Sequence, residues 1–95
     1  MPAYLIADVE VTDASRYEQY KALAAPAIAK HGGRYLVRGG AHASLEGPWR
    51  PHRLVIVEFP DVETAKRFYD SPEYREARAA RAGAATGNFV VVEGL

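Results

Sequence analysis

Tyr17, Tyr20 and His31 recur at spacings that can place them on one face of a helix, with their polar tips directed into a common cavity. Phenol and imidazole are groups that can act on a small polar or aromatic molecule, so these three are the candidates for catalysis. The structural alternative is simpler. Tyrosines at this spacing also pack a core, and a histidine beside Gly32-Gly33 caps a helix, where an imidazolium meets the negative end of the helix dipole.

Arg38 precedes Gly39-Gly40, a setting that lets a ligand approach the backbone while the guanidinium holds a carboxylate by two hydrogen bonds. By strand parity it sits with Arg34 and Leu36, on the side where Asp8, Glu10 and Glu58 project. Ion pairs at a subunit interface are the competing reading there, and the preferred one for Arg34. Trp49, His42 and His52 fall in a long loop, where residues bind more often than they pack; Trp49 could be a lid or, preferably, the anchor of a dimer arm. Arg53, which opens the next strand, and Tyr69, beside the Ser71-Pro72 turn with Tyr74, complete the ligand-binding candidates. Packing is the alternative for both tyrosines. Arg75, Arg78 and Arg81, offset by Glu73 and Glu76, read as a solvated basic stripe. The three histidines lack metal-ligand spacing, and no phosphate loop, dinucleotide fingerprint or Gly-x-Ser-x-Gly occurs, so no metal and no cofactor is expected.

The elements that must position these residues follow from periodicity. Ala3 to Val11 alternates as a strand, and Thr12-Asp13 caps a helix running to His31, with a kink or a break into two segments expected at Pro26. Gly32-Gly33 ends it. Arg34 to Arg38 and Arg53 to Phe59 are strands joined by a connection of about a dozen residues, longer than a hairpin needs. Asp61 caps a second helix and Ser71-Pro72 starts a third; Gly83 and Gly87 release the chain into a last strand, Asn88 to Glu93. The order β-α-β-β-α-β is the split arrangement in which the helices cover one face of a four-stranded antiparallel sheet: a ferredoxin-like α+β sandwich in one domain, residues 1–95.

That fold leaves one sheet face bare, yet both parities carry apolar residues. Val55, Val57 and Phe59 oppose Leu54 and Ile56, and Leu5, Val9 and Val11 oppose Tyr4 and Ile6. A second copy covering the open face is the simplest remedy; the alternative is a loop or helix folding over it within a monomer. Composition points the same way. Ninety-five residues without cysteine make one small core with no disulfide to reinforce it. Twelve basic residues balance twelve acidic ones, which argues against nucleic acid, as does a third strand without the Lys/Arg-Gly-aromatic pattern of RNA-recognition modules. The N-terminal run meets Asp8 too early for a signal sequence or a membrane span, so a soluble cytoplasmic protein is expected.

Longer blocks carry a family resemblance. His31-Gly32-Gly33-Arg34-Tyr35-Leu36-Val37-Arg38-Gly39-Gly40, Leu45-Glu46-Gly47, Trp49-Arg50-Pro51-His52-Arg53, Val57-Glu58-Phe59-Pro60 and Phe68-Tyr69-Asp70-Ser71-Pro72-Glu73-Tyr74 resemble the DUF1330 family of the dimeric α/β-barrel superfamily, over essentially the whole chain. The resemblance implies a ferredoxin-like protomer pairing through its sheet, but no defined activity. Wider relatives include cofactor-independent monooxygenases, muconolactone isomerase-like enzymes and haem-dependent chlorite dismutases, so fold analogy alone licenses no single reaction. The expectation is a homodimer with one small-molecule pocket per subunit between sheet and helices, working as a cofactor-independent monooxygenase or isomerase. The alternative is a non-catalytic ligand-binding or scaffold dimer.

Overall fold

The computed structural model describes residues 1–95, the entire sequence. Its elements run β1 (Ala3–Val11), α1 (Ala14–Lys30), β2 (Arg34–Arg38), β3 (Arg53–Phe59), α2 (Val62–Tyr69), α3 (Pro72–Arg81) and β4 (Ala85–Glu93). The strands form one antiparallel sheet in the order β2-β3-β1-β4, the ferredoxin-like arrangement. Each helix begins where a side-chain oxygen can accept an orphan backbone N–H. Asp13 accepts from Arg16 at 3.1 Å, Asp61 from Thr64 at 2.7 Å and the Ser71 hydroxyl from Tyr74 at 3.2 Å.

All three helices pack on the side of the sheet that carries Leu5, Ala7, Val9, Val57 and Phe59. The middle of this layer is aromatic: Phe68 lies 5.0 Å from Phe59 and 4.4 Å from Tyr74 between ring centroids, and all three are sealed from solvent. Burying each such side chain contributes on the order of 1.5–3 kcal/mol, which makes this cluster the main attachment of α2 and α3 to the sheet.

Three local features differ from the sequence expectation. Pro26 does not divide α1, which runs as one helix through it. Pro26 and Ala22, one turn apart, are both exposed, so the carbonyl that loses its donor faces water. The last strand starts three residues earlier than expected, because Gly87 lies inside β4 opposite Val9 instead of releasing the chain. A Cβ there would stand 2.6 Å from the Asp8 carbonyl oxygen; close strand approach is what the glycine serves. Finally, β2 carries a bulge: Tyr35 pairs with Val57 but Val37 pairs with Ile56, leaving Leu36 as the extra residue.

The opposite face of the sheet presents Tyr4, Ile6, Leu54, Ile56, Val90 and Val92, with Leu36 beside them at the bulge. Val90, Val92 and Leu36 are 58%, 48% and 46% exposed, so no element of the same chain covers this side. Arg34 and Glu58 form an ion pair of 2.8 Å at one end of the face. At the other end the loop of residues 39–52 is tied down by Asp8, whose carboxylate accepts from the Trp49 indole N–H and the His52 backbone N–H, both at 2.9 Å. No helix is long and apolar enough to cross a membrane.

Candidate functional site

A cavity of about 30 Å³ lies between the helix side of the sheet and helices α1 and α3. Its floor is apolar, with Leu5, Ala7, Val9, Val55 and Val57; its wall is largely aromatic, with Tyr17, Tyr20, Tyr35, Tyr74 and Phe89; Lys21, Arg38 and Arg53 also line it. That volume admits one or two waters. Of the seven residues singled out in the sequence, the fold brings Tyr17, Tyr20, Arg38 and Arg53 to this cavity and places His31, Trp49 and Tyr69 elsewhere.

Tyr17 and Tyr20 arrive one helical turn apart, with ring centroids 5.1 Å from each other. The Tyr20 and Tyr74 hydroxyls share a buried hydrogen bond of 2.7 Å. Burial, then the neighbouring Tyr74, pushes the Tyr20 phenol far above the usual tyrosine range, and burial raises Tyr74 as well. Both are neutral donors and acceptors near neutral pH, not phenolates.

Arg38 reaches the cavity because of the bulge. Simple alternation places it on the open face with Arg34; the extra residue at Leu36 flips the parity, so that Arg34 faces Glu58 while Arg38, opposite Val55, turns to the helix side. There its guanidinium carbon lies 4.4 Å from the centre of the Tyr35 ring. Arg53 lies across from it, 5.8 Å from the Tyr17 ring. The space it fills exists because residue 39 is glycine: a Cβ at Gly39 would collide with the Arg53 guanidinium, and the positive φ of 73° there also favours glycine. Tyr35 was missed as a site residue, although strand alternation already set it opposite in parity to Arg34. Burial raises its phenol, with Arg38 opposing that shift.

His31 sits just beyond the end of α1, where helical periodicity no longer fixes its direction, and it points toward the start of α3 instead of into the cavity. Its Nε2 lies 3.2 Å from Glu73 Oε1, with its ring 5.9 Å from Phe68. Lys30, 3.1 Å from the same carboxylate oxygen, and His31 together hold Glu73 below the usual carboxylate range. Trp49 is on the far side of the sheet, bound to Asp8. Tyr69 borders a shallower hollow of about 310 Å³ with Ala65, Lys66 and Val90. The basic stripe on α3 is only partly solvated. Arg78 lies over Tyr69 at 4.4 Å and Arg81 over Phe89 at 4.4 Å, so both are half-buried, and only Arg75 stands free in water. No group of three or more His, Asp or Glu side chains is placed to hold a metal ion.

The model of a domain of unknown function, DUF1330, matches residues 2–95. The chain belongs to the DUF1330 family. No curated protein matches it at a significant level. Among solved structures, this DUF1330 chain is similar to the RPA0582 protein of unknown function from Rhodopseudomonas palustris, at 24% identity and a TM-score of 0.78, covering 99% of this chain and 82% of that one. It is also similar to a dimeric ferredoxin-like protein of unknown function from Jannaschia sp. CCS1, at 12% identity and a TM-score of 0.71, covering 99% and 100%. SnoaB, a cofactor-independent oxygenase from Streptomyces nogalater, matches at 14% identity and a TM-score of 0.68, covering 99% and 93%. At these identities the likeness concerns the fold.

Proposed function

We propose that this DUF1330 protein is a homodimer joined through its open sheet faces, with one small-molecule site per subunit at the Tyr17–Tyr20–Tyr35 cavity. The observation that carries the pocket is convergence: aromatic and cationic side chains from α1, β2 and β3 meet at one apolar hollow on the helix side of the sheet. The dimer rests on the apolar residues exposed on the opposite face, and it agrees with the dimeric neighbour of the same fold. Ligand chemistry and subunit pairing thus use different faces of one sheet.

Between the two forms of this reading, binding without turnover is favoured over oxygenase- or isomerase-like catalysis. Tyr20 and Tyr74 spend their hydroxyls on each other, and His31 is engaged by Glu73 outside the cavity, so neither the buried tyrosine pair nor the histidine is available to the hollow as a general base. A thermal-shift screen of phenols, carboxylates and quinones tests the pocket. A ligand that raises the melting temperature of the wild-type chain but not of a Tyr17→Ala variant supports the site, whereas stabilisation by none of the compounds counts against it. Consumption of oxygen with a stabilising phenol would move the reading to the catalytic form.

A further inference from the structure

Arg38 and Arg53 belong to different strands, and only the bulge at Leu36 brings the first to the side occupied by the second. Both line the tyrosine cavity together with Lys21, and no Asp or Glu is among the lining residues. Lys21 is neutralised by Glu18 at 2.8 Å, but neither arginine forms an ion pair with a carboxylate. Arg53 Nε is shut off from solvent with no hydrogen-bond partner. Arg53 is thus a partly buried guanidinium with no carboxylate partner, which is costly to hold, and with the exposed Arg38 at the mouth of the same hollow it creates a local positive field in a protein with no net charge. Each instead rests beside an aromatic ring, Arg38 at Tyr35 and Arg53 at Tyr17.

We propose that the ligand of this site is a small aromatic carboxylate, its carboxylate gripped between Arg38 and Arg53 and its ring stacked on Tyr17 and Tyr35. The proposal rests on the pocket reading above and names the ligand class. Guanidinium forks match the two oxygens of a carboxylate, which is why two arginines, not two lysines, suit the task. The cavity of about 30 Å³ is too small as it stands for an aromatic ring. The ring therefore takes the places now held by the guanidinium groups beside the tyrosines, and the arginines swing outward onto the carboxylate. Gly39 accommodates Arg53 in its present place, since a Cβ there would collide with the guanidinium.

Titration calorimetry with benzoate and 4-hydroxybenzoate, each against its uncharged amide, tests this on the full chain and on Arg38→Gln and Arg53→Gln. The carboxylates should bind at least about ten-fold more tightly than the amides, a difference of about 1.4 kcal/mol. Either substitution should abolish that preference, and added salt should erode it. Arg38 is exposed at a strand end, so its variant keeps the test open should Arg53→Gln fail to fold. An Arg38→Lys variant, which retains charge but loses the fork, should fall between wild type and Arg38→Gln. Amides binding as well as carboxylates would overturn the anion assignment while leaving the pocket intact, as would a preference that survives in Arg38→Gln. Binding by no member of the set would overturn both.

Discussion

The hydroxyl pair of Tyr20 and Tyr74 shows how much one atom can decide in a small core. Tyr20→Phe removes one partner and leaves the Tyr74 hydroxyl buried without another, so the variant should lose about 1–2 kcal/mol in urea denaturation. The double variant with Tyr74→Phe should recover part of that loss, because no stranded hydroxyl remains. The same burial makes the fold sensitive to alkali. Tyr20, Tyr35 and Tyr74 all bind their protons more tightly in the folded chain than in the unfolded one. Below the unfolded tyrosine value of about 10 both states are protonated and the stability is unaffected. Above it the unfolded chain ionises first, so stability falls as pH rises. Melting temperatures should therefore hold up to about pH 9 and decline as the pH rises through about 10, and the Tyr20→Phe, Tyr74→Phe chain should decline less steeply.

At the scale of elements, the strands, the helix caps and their order were legible because each has a local cause: alternation, an Asp or Ser oxygen, a proline at the first helical position. What was not legible depends on a partner strand. Arg38 changed faces because Leu36 is an extra residue relative to β3, and no pattern within Arg34–Arg38 announces it. Glycine ends many elements, which predicts Gly87 as a release point, whereas its reason is the Asp8 carbonyl beside it on β1. Gly87→Ala tests that reason. With backbone on the facing side, little can give way, and the variant should lose about 1–3 kcal/mol by the cost of overpacking. A melting temperature equal to wild type would mean that the strands separate freely at this point. The site was half legible for a related reason. Tyr17 and Tyr20 share a helical face within α1, but His31 lies past its end, where backbone direction and not periodicity sets the side chain's course.

For the whole molecule, the sheet has two apolar sides and one set of helices. The side bearing Leu5, Val57 and Phe59 is satisfied within the chain, and its small cavity is lined in part by Arg38 and Arg53, which no carboxylate of the chain pairs. The other side displays Leu36, Val90 and Val92 to water, with Ile6 and Ile56 half-buried beside them, a surface that a domain with so few core residues has every reason to cover. A second copy would bury these side chains against their own equivalents, with the Arg34–Glu58 pair at one end of the face and the Asp8-bound Trp49 loop at the other. Val90→Asp separates subunit pairing from folding, because Val90 is already 58% exposed in the protomer and its replacement leaves the core untouched. Sedimentation at micromolar concentration should give the mass of two chains for wild type and of one for the variant, with the dimer weakened at least about ten-fold, or about 1.4 kcal/mol. The variant should keep its circular dichroism spectrum and its affinity for cavity ligands, since those depend on the opposite face. A wild-type chain that sediments as a single protomer would remove the dimer, and a Val90→Asp chain that still pairs would move the interface off β4.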